Sequence, residues 1–313
     1  SATYISGSGT SALVFGYTVV AGDTDTDGVS VTVNTLSAGS GTINDTAGNA
    51  STLTQVAVAA STSHKVDTTA PTVTIAASSS SLRSSQTSTL TFTLSETSTN
   101  FVEGDITFSG GTLSSFTAVS GTSYTVVFTP YANFVSFAWL SVSTGKFTDA
   151  AGNSNTASST IVIEYDTEVP TVSYVTSSST NGTYSIGSTV SIQVVFREAV
   201  TVSGTPQLTL ETGSTDRAVD YVSGSGTTSL TFTYTVQAGD SSTDLDYVST
   251  SSLALNGGSI VDYVGNAATL TLPAPGAWLS LGERKAIVIT SAPTKVVSAR
   301  TPVGTASGAA FTT

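Results

Sequence analysis

The chain has 313 residues, with no Cys, no Met, one His and two Trp, and its 21 acidic residues outnumber its 9 basic ones. This composition excludes disulfides, thiolate catalysis and multi-histidine metal sites. It also argues against a nucleic-acid partner, which would need clustered Lys and Arg. No apolar run of about 18 residues occurs, so no membrane insertion is expected.

The first predicted element is a strand hairpin that the chain uses twice. Residues 4–23 and 221–240 are identical at 14 of 20 positions, and the offset between them is 217. The same offset, without a gap, places Asp45 on Asp262 and Asn49 on Asn266. Internal repetition of this kind indicates repeated domains. Residues 1–66 are therefore expected to be the later part of a domain.

Two further markers set the domain boundaries. The form D-x-x-G-N occurs three times, and after each copy a Pro-Thr pair opens a β-rich run. The spacing between these prolines suits one β-sandwich per interval. The predicted division is the C-terminal part of a repeat at 1–66, a complete domain at 67–165, a longer complete domain at 166–290 and the start of a further repeat at 291–313. The chain is thus expected to start and stop inside repeats, as a segment of a longer array.

Alternating sequence patterns predict the strands. Apolar residues recur at every second position among Thr and Ser, which places them on one face of a strand. Gly-rich turns separate these runs, and no segment shows helical periodicity. The predicted fold is all-β, made of tandem antiparallel β-sandwiches in an elongated array. The clearest strand signals are at 73–75, 90–94, 124–128, 190–194 and 230–236.

The motifs of both complete domains resemble bacterial Ig-like repeats of very large secreted surface proteins, including biofilm and RTX-type adhesins. The resemblance rests on the opening run at 67–75, the Leu94-Ser-Glu96 turn and the closing run at 145–153, with related motifs at 196–200, 206–210 and 262–266. It implies that the predicted domains are tandem Ig-like antiparallel β-sandwiches. It further implies a role as a stalk, spacer or shell at the cell surface, outside the cell. It also implies Ca²⁺ sites near domain junctions.

One candidate cation site is an Asp-rich loop. D-x-D-x-D-G is the first half of a Ca²⁺ loop, because alternate side chains converge and Gly permits a tight turn. A polar hairpin turn, in which Asp caps backbone N–H groups, explains the same residues. The sequence leaves both interpretations open for Asp23, Asp25 and Asp27, and for their repeat counterparts Asp240, Asp244 and Asp246.

The second candidate is a set of acidic residues at the predicted junctions. A Ca²⁺ ion held by oxygen ligands from two segments would stiffen such a junction. Turn chemistry is again the alternative, and it is favoured for the D-x-x-G-N turns because Asp accepts from backbone amides there. The residues are Asp67 and Asp166 in linkers, Glu96 and Glu198 after strands, and Asp149 and Asp262 in D-x-x-G-N turns.

Catalytic constellations and aromatic platforms have little support. His64 lies in a linker-like stretch, and no G-x-S-x-G elbow occurs between a strand and a helix. Trp139 and Trp278 are candidates for a sugar-binding platform. A lone Trp in a sandwich more often packs in the core or at a domain edge, and Trp278 is the better candidate for an exposed contact.

The leading functional hypothesis is a non-enzymatic, extracellular structural segment of a cell-surface adhesin, fibre or surface-layer protein, stiffened by Ca²⁺. Its partners would be neighbouring Ig-like repeats or subunits of the same protein. One alternative is a module that binds surface glycans or a host surface. Another is a filament subunit, in which residues 291–313 of one copy complete the first domain of the next by strand addition.

Overall fold

The structure, a computed structural model, describes residues 1–291 as two compact units that divide between Thr167 and Glu168. Within these residues nearly all regular structure is β-strand, arranged in antiparallel sheets with two parallel strand pairs. The all-β prediction is confirmed. The elongated tandem arrangement stays a prediction, and the predicted segment 291–313 lies outside the described residues except for Ser291.

Residues 1–66 form only short antiparallel strand pairs. Strand β1 pairs with β2, and β3 pairs with β4. Neither of the two buried hydrophobic cores found among the described residues contains a residue from this segment. The strands are β1 (Thr3–Ser6), β2 (Val14–Gly16), β3 (Thr24–Asp25) and β4 (Val66–Asp67).

The rest of the first unit is a sandwich of two four-stranded sheets. One sheet has the order β5-β7-β10-β9, and the other has the order β6-β12-β11-β8. A short 3₁₀ helix, Glu103–Asp105, precedes β8. The strands are β5 (Val73–Ala77), β6 (Ser81–Arg83), β7 (Ser88–Leu94), β8 (Ile106–Phe108), β9 (Gly111–Ser120), β10 (Ser123–Pro130), β11 (Val135–Val142) and β12 (Ile161–Asp166).

Alternation along the strands builds the core of this sandwich. Leu90 and Phe92 of β7 face inward and are fully buried, while the Thr residues between and after them face outward. Strand β11 has apolar side chains on both faces. Ala138 and Leu140 are buried, and Trp139 between them is 52% exposed. Trp139 is therefore not a core residue, because its neighbours on the strand occupy the inward positions.

The second unit has one large sheet. Its order is β13-β15-β18-β17-β16-β19, with β20 paired to β16, β21 paired to β15, and a separate parallel pair β14-β22. Its strands are β13 (Val172–Ser177), β14 (Gly182–Ser185), β15 (Thr189–Ser203), β16 (Gln207–Glu211), β17 (Arg217–Ser223), β18 (Thr227–Thr235), β19 (Asp246–Tyr247), β20 (Leu253–Ala254), β21 (Ser259–Val261) and β22 (Ile287–Thr290).

Strands β15 and β18 form the centre of this unit. They run antiparallel, with Ile192 opposite Phe232 and Val194 opposite Leu230, and all four side chains are fully buried. The sequence did not predict the four-residue helix α1 (Leu281–Arg284), whose N-cap Ser280 accepts from the Glu283 N–H. Among residues 1–291, no helix combines the length and apolarity needed to cross a membrane.

Candidate cation site

The D-x-x-G-N motif forms the same turn at all three positions. In the turn at 149–153, Asp149 Oδ1 accepts from the backbone N–H groups of Ala151 and Asn153 at 2.8 and 2.9 Å, and Oδ2 accepts from Asn153 Nδ2 at 2.9 Å. The turns that begin at Asp45 and Asp262 repeat this set of bonds. The motif therefore encodes its turn locally, as the interpretation by turn chemistry predicts.

The Asn of this turn also holds a distant backbone segment. Asn153 Nδ2 donates to the carbonyl oxygen of Asp67 at 3.1 Å. In the second unit, Asn266 Nδ2 donates to the carbonyl oxygen of Glu168 at 2.9 Å. In each unit the closing turn is thereby tied to the residues that open the same sandwich.

Three carboxylates meet beside the first of these ties. Asp67 ends β4, Glu96 lies two residues after β7, and Asp149 begins the closing turn. One oxygen from each lies within 4.8 Å of the other two, and all three residues are partly buried in this arrangement. No other group of three such ligands occurs within residues 1–291. The tertiary fold thus gathers residues that are far apart in the sequence.

The electrostatics of the three carboxylates differ. Burial raises the pKa of Glu96, and the nearby charges of Asp67 and Asp149 raise that pKa further. Burial also opposes ionisation of Asp149, but the hydrogen bonds from Asn153, Ala151 and Gly152 outweigh it and lower the pKa of Asp149. Asp149 is therefore held as an anion. The repulsion between the carboxylates shows instead in the raised pKa of Glu96.

The donor set suits a hard cation. All three ligands are carboxylate oxygens, which Ca²⁺ and Mg²⁺ prefer, and no thiolate or imidazole takes part. Ca²⁺ tolerates irregular coordination by six to eight oxygens, so backbone carbonyls and water can complete a shell that the three residues begin. A bound cation would also remove the repulsion that raises the pKa of Glu96.

One comparison with known proteins concerns the sandwich that carries this cluster. Residues 67–165 match the family model described as a bacterial Ig-like domain. This segment is therefore similar to bacterial Ig-like domains. The matched residues include Asp67, Glu96 and Asp149, so the whole carboxylate cluster lies within the matched segment.

Two solved structures of bacterial adhesins are similar to this chain over part of its length. InvE from Yersinia pseudotuberculosis is 19% identical over 53% of this chain and 51% of its own, with a TM-score of 0.23. FdeC from Escherichia coli is 14% identical over 72% of this chain and 69% of its own, with a TM-score of 0.33. The chain thus spans about half the length of the InvE structure. No curated protein gives a significant match.

The structure does not gather Asp23, Asp25 and Asp27 into a group of ligands. Asp23 accepts from the Tyr17 hydroxyl and, at 2.8 Å, from the Val20 N–H. Asp25 accepts from the Gly28 N–H at 2.8 Å. These bonds are the caps that the polar-turn alternative describes.

The repeat counterpart of Asp23 is an ion-pair residue. Asp240 is 1% exposed, and its Oδ1 lies 2.8 Å from Arg217 Nη2. Its Oδ2 accepts from the Tyr234 hydroxyl at 2.7 Å and from the Gln237 N–H at 2.9 Å. Both oxygens of Asp240 therefore have partners within the protein.

Asp244 and Asp246 lie near one another beside Gly282 of α1. Burial raises the pKa of Asp244, as do the charges of Asp246 and Glu283. The two oxygens of Asp246 accept from the N–H groups of Tyr247 and Gly276 at 2.9 and 3.0 Å. Cation binding at this pair stays a prediction.

The remaining predicted ligands belong to different units and are described separately. Asp166 ends β12 in the first unit and is buried. Glu198 lies in the irregular part of β15, between Val195 and Val200, and Asp262 is the buried first residue of the closing turn in the second unit. Cation binding by each of these residues stays a prediction.

Sequence reasoning missed two features of the site. The tie from Asn153 to Asp67 joins residues 86 positions apart, and nothing local marks it. The bond between Tyr and Asp had a usable signal, since both copies of the repeated run place Tyr six residues before Asp, as in Tyr17–Asp23 and Tyr234–Asp240.

The tie to Asp67 predicts an unequal effect of two equivalent substitutions. Asn153→Ala removes side-chain bonds to Asp149 and Asp67, so it should lower the free energy of unfolding of the first unit by about 1–3 kcal/mol. Asn49→Ala removes an exposed bond to Asp45 and should have less effect. Urea unfolding followed by Trp139 fluorescence, with Trp278 replaced by Phe, measures both. Equal losses would contradict a role for the tie.

The raised pKa of Glu96 predicts that Glu96→Gln stabilises the folded chain, measured in excess chelator, by an amount that depends on pH. The folded state holds the Glu96 proton more tightly than the unfolded state, so ionised Glu96 destabilises the fold at neutral pH. The substitution should raise the free energy of unfolding at pH 7, and the gain should fade as the pH drops through the pKa of Glu96. Urea midpoints of both proteins across the acidic range measure this. A gain independent of pH would contradict the electrostatic cause.

Proposed function

We propose that the chain is a non-enzymatic structural segment of a bacterial cell-surface protein of the adhesin, fibre or surface-layer type, and that Ca²⁺ stiffens it. The Ig-like domain at 67–165 supports the first part of this proposal. The carboxylates of Asp67, Glu96 and Asp149 support the second part, and their convergence is the observation that carries it.

The position of the cluster explains how a cation would act mechanically. Asp67 belongs to β4, which pairs with β3 of the segment before the Ig-like domain. Glu96 and Asp149 belong to the body of the domain. A cation bound by all three would fix the start of the domain against its body, adding to the hydrogen bond from Asn153 to the Asp67 carbonyl. Bending at residues 66–69 would then require breaking metal–oxygen contacts.

A structural role also suits the rest of the described chain. The single His, His64, has its Nδ1 at 2.9 Å from the Ser61 hydroxyl oxygen. The two residues are three positions apart in the sequence and lie in an exposed turn. A nucleophile and base in such a turn have no enclosed site for a substrate, and catalysis must be argued from a site rather than from a fold. Within residues 1–291 the only group of three His, Cys, Asp or Glu residues placed to hold a metal ion is the carboxylate cluster described above.

Binding to surface glycans is the second candidate function, and the outer face of β11 favours it. Phe137 and Trp139 are about half exposed on this face, at positions i and i+2 of one strand, beside exposed Val162 of β12. Glu164 of β12 lies opposite Phe137. Flat aromatic surfaces next to a hydrogen-bonding carboxylate suit the apolar faces and hydroxyls of sugars.

Calcium titration tests the leading proposal. Ca²⁺ at 100 times its dissociation constant should add about 2.7 kcal/mol to the unfolding free energy of the first unit. Glu96→Gln should abolish this gain, whereas the matched change Glu103→Gln, in the exposed 3₁₀ turn, should keep it. Urea unfolding with added Ca²⁺ and with chelator gives the free energy of unfolding of the unmodified chain and of the two variants. The absence of binding heat and of stabilisation in the unmodified chain would refute the calcium site.

A glycan array tests the second candidate. Binding through the outer face of β11 should disappear in Trp139→Ala and persist in Trp278→Ala. Trp278 is a matched control because it is 79% exposed and does not lie on β11. If the unmodified chain binds no glycan, or if both variants bind equally, this function is not supported.

A further inference from the structure

The repeated hairpin has the same local structure in both copies. In residues 1–66, Tyr4 accepts from the Ser8 N–H at 2.8 Å across the turn between β1 and β2. In the second unit, Tyr221 accepts from the Ser225 N–H at 2.8 Å across the turn between β17 and β18. The closing D-x-x-G-N turns also match. The two copies therefore fold alike wherever the contacts are local.

Their apolar side chains nevertheless differ sharply in burial. Phe15 is 40% exposed, whereas its counterpart Phe232 is fully buried. Tyr17 is 50% exposed, and its counterpart Tyr234 is 1% exposed. The same residue types in two similar hairpins thus belong to a core in one copy and to an open apolar face in the other.

Strand β15 is one element of the second unit that has no counterpart, within residues 1–291, beside the hairpin of residues 1–66. In the second unit β18 lies between β17 and β15, and β15 covers it with Val190, Ile192 and Val194. In residues 1–66, β2 pairs with β1 alone in the described sheets. The second edge of β2 therefore has no strand partner in the described sheets, and its backbone N–H and C=O groups are open to strand addition.

A cavity marks the place of the partner. It has a volume of about 530 Å³, and Leu13, Phe15 and Ile43 are among the residues that line it. By the 217-residue offset, Ile43 corresponds to Ile260 of β21, which is paired with Val202 of β15. Phe15 corresponds to Phe232, which is paired with Ile192 of the same strand. The cavity therefore lies where a strand equivalent to β15 would run.

The charge pattern points to the same occupant. Asp23 keeps two of the contacts of Asp240, from a Tyr hydroxyl and a backbone N–H. Asp240 has in addition the guanidinium of Arg217. An occupant with the sequence character of residues 187–217 would bring an equivalent Arg to Asp23.

We propose that residues 3–43 form a strand-addition surface for the N-terminal half of a repeat of the second-unit type. The occupant is an extended segment with alternating apolar residues, like β15, followed by an Arg. It joins the open edge of β2 antiparallel, with the residue equivalent to Ile192 opposite Phe15 and the residue equivalent to Val194 opposite Leu13. Main-chain hydrogen bonds supply affinity, and the cavity selects the apolar side chains. This interaction does not depend on the calcium site.

A labelled peptide of residues 187–217, added to the full chain, tests the proposal. Fluorescence anisotropy should show saturable binding, and hydrogen exchange should slow at Val14–Gly16. A peptide with Ile192→Asp and Val194→Asp should not bind, because both side chains must enter an apolar site. A peptide with Arg217→Gln should bind roughly 10-fold more weakly, through loss of a charged hydrogen bond.

Variants of the chain give the matched controls. Phe15→Asp should abolish binding, whereas Val119→Asp, on the exposed face of β9, should leave it unchanged. The peptide variants act on the unmodified chain, so the test holds even if Phe15→Asp disturbs residues 1–66. The proposal is overturned if the unmodified peptide does not bind, or if it binds equally with its apolar residues replaced. A Phe15-dependent dimer of the chain alone that excludes the peptide would assign the surface to a second copy instead.

Discussion

The packing of apolar side chains on neighbouring strands of one sheet is the interaction on which this structure depends. Strands β15 and β18 show it most clearly, because Ile192 and Phe232 face each other in the middle of the sheet and are fully buried. A single two-stranded hairpin has too little apolar contact to make a core, whereas a third strand supplies it. The hairpin of residues 3–16 has no such third strand in the described sheets, and its apolar side chains remain in contact with solvent.

The acidic residues combine two physical roles that are often treated as alternatives. Asp149 accepts three hydrogen bonds within its own turn, and this bonding both shapes the turn and keeps the carboxylate ionised. An anion fixed in this way is well placed to meet other carboxylates. Glu96 approaches it from another strand, and its raised pKa records the electrostatic cost of that approach. Turn chemistry therefore positions the oxygen that a cation would use.

Strand β11 illustrates why a pattern with apolar residues on both faces is ambiguous. Val135, Phe137 and Trp139 alternate with Ala138, Leu140 and Val142, so either set could have faced the core. The smaller set faces inward. Gly110, on a neighbouring segment, lies so close to Ala138 that an added Cβ would be 3.1 Å from it. Close packing at that point suits a methyl group and leaves the large aromatic side chains on the outer face.

The sequence by itself determined the features that depend on neighbours along the chain. Alternation located the strands, and the 217-residue offset related the two hairpins. Each D-x-x-G-N motif specified its own turn, since the bonds that its Asp side chain accepts come from within five residues. Only the tertiary structure decided which acidic residues meet. Asp67, Glu96 and Asp149 come from three separate segments, and their convergence depends on how the two sheets pack. Burial is likewise non-local, so two similar 20-residue runs differ in burial: Phe232 and Tyr234 are core residues of the second unit, whereas Phe15 and Tyr17 are exposed.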